Sequence, residues 1–406
     1  MLKNYSAGPA TAWESLAKSA LSIGRKGDTK SALAILNDAI DAARRSNEPR
    51  GEALSLNCAA IVHVIRGDYW TSLATSIDAY SLAHQQNLPA DQANAMVNLA
   101  AAFVLLAPDD ALPFLREAHR IAQRVGDAGL LSRAHNMLGV ALGDMGRFDE
   151  AELNFDMAQA MTDGVNGDNA DNNADGLNPF NPFNPFNPFN PFNPFNPLNP
   201  LRLQTNLANL MRKRAEAARR TGGADALASC VALCARARTI INRMEGEAEA
   251  SQKLPLLIDI LMVAGLIDLA DDRPGSGLRK LEQSWQLSIA TKQRAALPTL
   301  GVHIGRLEMA AGRAQAAEQT LTVAFNESLN YRPSPKAEAL CLLLAEVRAV
   351  MGDAAGESGW QREALKARVI FNGIKSDALR QLEKLAKISP SLFLDCRLAA
   401  RPSTGS

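Results

Sequence analysis

Apolar positions along the chain recur at three- and four-residue spacing, the period of an amphipathic helix and not the alternation of a strand. The clearest stretch runs from His135 to Met161. There NMLGVALGDM precedes Gly146 and RFDEAELNFDMAQAM follows it. Phe148, Ala151, Phe155 and Ala158 fall at i, i+3, i+7 and i+10, which is one face of a helix. Gly139 stands where a small residue lets a paired helix approach. The same layout recurs about turn signals at Gly27-Asp28, Gly67-Asp68, Pro108-Asp109, Gly146-Arg147, Gly222-Gly223, Gly275-Ser276, Gly312-Arg313 and Gly352-Asp353. The first intervals are 40, 41 and 38 residues, and the last is 40. Eight helix pairs follow from this pattern. Pro49, Pro89, Pro255 and Pro333 open the first helix of several pairs, where the missing N–H costs nothing. A single pair cannot bury its apolar face, so the pairs must stack; Ala32–Leu36 and Cys341–Ala345 are expected in the stacked interior. The fold class expected is all-α, a right-handed superhelical solenoid.

Composition supports this reading. Apolar residues make up 47% of the 406 positions and aromatics only 5%, with Ala and Leu dominant. Close-packed helices suit that mixture better than a β-sandwich does. Lys plus Arg and Asp plus Glu are 43 each, so no global field draws in nucleic acid, and nucleic acid is not an expected partner. The N-terminus, MLKNYSAGPATAWESLAK, has no apolar leader core, and a cytoplasmic location is expected. The most apolar stretch, Leu254 to Ala270, contains Asp259 and Asp268 and reads as a buried helix, so no membrane span is expected. Five scattered cysteines (Cys58, Cys230, Cys234, Cys341 and Cys396) form no C-x-x-C and suggest reduced thiols.

Between the fourth and fifth pairs the composition changes abruptly, across 162–201. A polar stretch, TDGVNGDNADNNADGL, leads into six Asn-Pro-Phe and two Asn-Pro-Leu triplets from Asn178 to Leu201. Proline at every third residue removes donors and forbids a helix or central strand, so an exposed, extended or turn-rich loop is expected. Asn-Pro-Phe resembles the motif bound by eukaryotic EH domains, and tandem copies would add avidity. The alternative is a tandem duplication tolerated because it falls in a loop. Asp171, Asn173, Asp175 and Gly176 match the first half of a calcium loop, but its closing acidic position is Pro182, which favours a plain polar linker.

Gly139, Gly146, Phe148 and Ala151 together resemble the tetratricopeptide repeat family: a small residue in the first helix, Gly at the turn, an aromatic two positions later and Ala three further on. Gly27 with Ala32, Gly67 with Tyr69, and Gly312 with Ala317 fit in part. The family's closing proline is displaced or missing, and the period of ~40 is longer than the usual ~34, similar to repeats of kinesin light chains and bacterial regulators. The resemblance covers about 11–372 outside the insert and fades in the second half. It implies a non-enzymatic scaffold or regulator that holds an extended partner segment in a concave groove. Asn57, Asn98 and Asn136 each stand ten residues before the turn position of their repeats. By the resemblance they line that groove, where a carboxamide can bond a peptide backbone as both donor and acceptor. Arg133 and Asp144 should flank Asn136 there. The alternative is that these asparagines bond neighbouring helices. Asn206 and Asn209 of the fifth pair fall out of this register.

Other chemistry is sparse. Arg212, Lys213, Arg214, Arg219 and Arg220 form a basic run that reads first as a solvated helix face. The histidines at 63, 84, 119, 135 and 303 show no metal spacing, and His63 and His303 lie in first helices. Cys230 and Cys234 share a helix face without nearby histidines. No nucleophile, base and orienter combine, so no enzyme, cofactor or metal is expected. A last helix is expected from Ser376 to Ile388, with leucines at 379, 382 and 385. It is similar to the linker helix between the sensory half and the catalytic domain of bacterial diguanylate cyclases. Nothing like GGDEF follows, so that resemblance implies a sensory module without its output domain. The expected segments are a tail at 1–10, an array at 11–161, the insert at 162–201, a second array at 202–372, and a C-terminal helix and tail at 373–406. The expected partner is a protein or peptide, and self-association stays open.

Overall fold

The computed structural model describes residues 12–25, 27–106, 108–168, 200–251, 253–329, 336–381 and 385. Among them are sixteen α-helices, one short 3-10 turn at Arg294–Ala296 and no strand. Eight pairs follow one another: α1 (Ala12–Arg25) with α2 (Thr29–Arg45), α3 (Pro49–Arg66) with α4 (Tyr69–Gln85), α5 (Pro89–Leu106) with α6 (Pro108–Val125), and α7 (Ala128–Asp144) with α8 (Phe148–Asp168). After the insert come α9 (Pro200–Thr221) with α10 (Ala224–Ala250), α11 (Leu254–Ala270) with α12 (Pro274–Ala290), α13 (Leu297–Ala310) with α14 (Ala314–Leu329), and α15 (Ala337–Val350) with α16 (Ala354–Gln381). The expected all-helical solenoid is therefore observed.

The first two turns within pairs each use two residues for two tasks. Gly27 and Gly67 take positive φ, 97° and 82°, which closes the preceding helix. The next residue caps the following helix: Asp28 accepts from the Ser31 N–H at 3.1 Å and Asp68 from the Thr71 N–H at 3.2 Å. At the turns between pairs, Asn47 and Asn87 take positive φ instead, both at 53°. Gly275-Ser276 departs from the expectation. The left-handed residue before α12 is Asp272, with φ 61°, and Gly275 and Ser276 already lie in the first helical turn. Pro255 opens α11 as expected, while Pro333 lies outside the described residues.

Two boundaries differ from the sequence pattern. Helix α8 continues to Asp168, and α9 begins at Pro200, so both ends of the expected insert are helical. Residues 169–199, with nearly all of the triplets and the calcium-like stretch, lie outside the described residues. At the other end, Ser376–Gln381 is not a separate helix but the continuation of α16. Gly373 alone does not end the helix, since one interior glycine costs only ~1 kcal/mol.

The pairs stack through each second helix onto the next first helix, and the first helices also pack on one another: α1 on α3, α3 on α5, α5 on α7, α7 on α9 and α9 on α11. No comparable packing joins successive second helices. The first helices therefore form the inner layer of a curved array. Leu36, Leu73, Ile77, Met96, Phe103 and Phe114 are among the fully buried side chains of its core. The array also comes round on itself. A Cβ on Gly27 would lie 2.6 Å from the Thr291 carbonyl oxygen. The α16 helix packs on α4, where the rings of Trp70 and Phe371 meet edge to face at 5.8 Å.

Candidate functional site

The inner layer carries a row of polar side chains through its apolar packing. Asn57, Asn98 and Asn136 sit on α3, α5 and α7 and are only 3%, 4% and 2% exposed. Buried amides at this depth require partners. The Asn98 amide donates to the Asn57 side-chain oxygen at 3.1 Å and to its main-chain oxygen at 3.3 Å. Asn57 in turn donates to the Asp91 carbonyl at 3.3 Å. Arg133 Nη2 donates to the Asn98 side-chain oxygen at 3.0 Å, and Nη1 to Asn94. Asn206 of α9 donates to the Asn136 side-chain oxygen at 3.0 Å. Lys213 of α9 pairs with Asp144 at the end of α7.

All five residues singled out from the sequence thus lie on successive inner helices, in three bonded groups: Asn57, Asn98 and Arg133 across α3, α5 and α7, Asn136 with Asn206 of α9, and Asp144 with Lys213 of α9. The carboxamides are engaged within the stack. Arg133, Asn206, Lys213 and Asp144 keep part of their surface in solvent. Burial pulls the Arg133 pKa down to about 10, so the guanidinium stays charged at neutral pH. Sequence reasoning missed Asn94, Asn206 and Lys213. Counting back from the turn hid Asn206, because α9 is 22 residues long where α7 has 17.

The basic run on α9 has specific partners. Arg212 reaches Glu216 at 2.6 Å and the Asn209 oxygen at 2.8 Å. Arg214 meets Asp149 at 3.0 Å and Glu152 at 3.3 Å. With the pair between Lys213 and Asp144, these bonds join α9 to α7 and α8 on either side of 169–199. They are half-exposed pairs, worth ~0–1 kcal/mol each, so they set register more than stability.

His303 of α13 has its pKa lowered to about 4, first by burial and then by Arg212, Lys336 and Arg306. Arg212 comes from α9, two pairs away. Tyr69 at the start of α4 is pushed up to about 12 by burial, with a further push from Asp259 of α11. Charges from the two halves of the array therefore act on each other.

Other sequence candidates resolve as packing. Cys230, Cys234, Cys58 and Cys341 are buried and form no disulfide among the described residues; Cys230 lies 3.8 Å from the Ala270 carbonyl, and Cys396 is outside the described residues. His119 and His135 meet edge to face at 4.7 Å, and His135 Nδ1 is 2.9 Å from the Asn154 side-chain oxygen. Among the described residues no group of three or more His, Cys, Asp or Glu could hold a metal ion, and no helix is long and apolar enough to cross a membrane.

Residues 91–163 match the tetratricopeptide repeat family model, and this segment carries Asn98, Arg133, Asn136 and Asp144. The resemblance read from Gly139, Gly146, Phe148 and Ala151 falls inside it. No curated protein sequence matches the chain. Among solved structures, aspartyl phosphate phosphatase F from Bacillus subtilis is similar over 99% of this chain and 97% of its own, at 10% identity and a TM-score of 0.45. A signal transduction ATPase with numerous domains and a tetratricopeptide repeat sensor, from Pyrococcus horikoshii, is similar over 87% of this chain and 54% of its own, at 11% identity and a TM-score of 0.41. Likeness at this level establishes no shared activity.

Proposed function

We propose that this protein is a non-enzymatic interaction scaffold that holds an extended partner segment along the inner face of its first five helix pairs. The observation that carries the reading is the polar row on α3, α5, α7 and α9. Asn57, Asn98 and Asn136 are buried in a largely apolar layer, and burying a carboxamide costs free energy unless it is bonded. In this reading Asn57, Asn98 and Asn136 fix the spacing and orientation of the half-exposed groups beside them. Arg133, Asp144, Asn206 and Lys213 then meet the partner's backbone and side chains. The tetratricopeptide match over 91–163 supports a protein or peptide as the partner class.

The test is selection from a displayed peptide library followed by affinity measurement on the enriched peptides. Arg133→Ala and the double change of Asp144→Ala with Lys213→Ala should each weaken binding about tenfold or more, equivalent to ~1.4 kcal/mol. Deleting the triplets at 178–199 should leave that affinity unchanged. Enriched peptides that bind all these variants as they bind the parent would remove the inner row from the site.

A further inference from the structure

A second site lies away from the inner row, and the reasoning for it does not depend on the proposed scaffold function. A cleft of about 450 Å³ opens between α2 and α4 over α3. This is within the ~300–1,000 Å³ range of small-molecule sites. Its two ends differ in chemistry, for a reason set by the chain. Helices α2 and α3 are joined by a short turn and run in opposite directions, so the start of α2 lies beside the end of α3. That end of the cleft carries Lys30 from α2 with His63 and Arg66 from α3. The remainder is lined by Leu33, Ala34 and Ile40 of α2 and by Leu56 and Ala59 of α3, with Asn37 between the two regions. Ala34 and Ala59 are the small side chains that leave the space open.

The carboxylates beside the cationic end, Asp28 and Asp68, each spend one oxygen on a helix cap. Neither Lys30 nor Arg66 forms an ion pair among the described residues. His63 Nδ1 is buried and makes no hydrogen bond. It lies 3.8 Å from Asp68 Oδ2, an ion pair when the ring is protonated, while Asp68 Oδ1 caps α4. Asp28 is likewise engaged, capping α2. A buried ring nitrogen without a hydrogen bond normally costs free energy. Two cations without ion pairs, an imidazole ring and an apolar trough line one cleft and suit one ligand type. We propose that the cleft binds a small amphipathic carboxylate, with its apolar body on Leu33, Ala34, Leu56 and Ala59 and its carboxylate between Lys30, His63 and Arg66.

The experiment is titration of the full chain with octanoate and, separately, with octanol, followed by calorimetry and by the His63 ring resonances. Saturable octanoate binding that perturbs the His63 signals is expected, with octanol weaker by about tenfold or more. Lys30→Ala with Arg66→Ala should weaken octanoate by a similar factor and leave octanol unchanged. Ala34→Trp, on the exposed side of α2, should fill the trough and abolish both. Three results would each overturn the assignment: no saturation at about 10 mM octanoate, where even a weak ~1 mM site would be filled; undiminished binding to Ala34→Trp; or octanol binding as tightly as octanoate.

Discussion

Asn98 donates to Asn57 and accepts from Arg133, so one side chain joins three inner helices. Asn98→Ala removes these bonds and leaves the Arg133 guanidinium and the Asn57 oxygen short of partners. A loss of about 2–3 kcal/mol is expected from urea unfolding, above the usual cost of one exposed polar change. A loss below ~0.5 kcal/mol would show that the row is not a structural unit. His303 gives a pH signature. Its folded pKa is lowered from 6.5 to about 4 by burial and by Arg212, Lys336 and Arg306. The unfolded chain therefore binds a proton that the folded one refuses. Stability should fall as pH drops from 6.5 toward 4, by roughly 3 kcal/mol once the fall is complete. His303→Gln should be less sensitive than the parent over that window, and equal sensitivity in paired urea titrations would refute the assignment. At this scale the sequence showed the recurrence of Asn57, Asn98 and Asn136 but not their bonds. A ten-residue offset can be counted, whereas a contact between α5 and α3 depends on how the pairs stack.

Single helices and turns were the most legible elements, because their signals are local. Gly27-Asp28 and Gly67-Asp68 could be recognised from residue type alone, one residue for the left-handed turn and one for the cap. Asp272 was not, since Asp takes positive φ only in some contexts and Gly275 nearby offered a stronger but misleading signal. The continuous α16 was also misjudged, because the leucines at 379, 382 and 385 marked a helical stretch without showing that it continues from Ala354. Gly139 is the sharpest test of packing between paired helices. A Cβ there would lie 2.7 Å from the Phe155 ring, which is buried and cannot easily move. Gly139→Ala should therefore cost about 1–3 kcal/mol despite alanine's better helix propensity. An equal or higher melting temperature for this variant would contradict the close approach of α7 and α8.

The whole molecule is where the sequence was least informative. Eight pairs and a repeat near forty residues were visible, but the contact between the second and last pairs carries no local pattern. Trp70 belongs to the core near α4 and α5, and Phe371, Ile374 and Leu385 pack against that same core from the far end of the chain. This closure joins the two ends of the array. Phe371→Ala should loosen it. Small-angle scattering should then show a larger radius of gyration with unchanged helix content, and an unchanged profile would mean that the ends do not hold each other. The central claim, that a partner segment lies along the inner row, is tested most directly by the affinity of library-selected peptides for the parent and for Arg133→Ala. Binding to the parent that weakens about tenfold or more in the folded variant is the expected result. Equal affinity for the two proteins would contradict it.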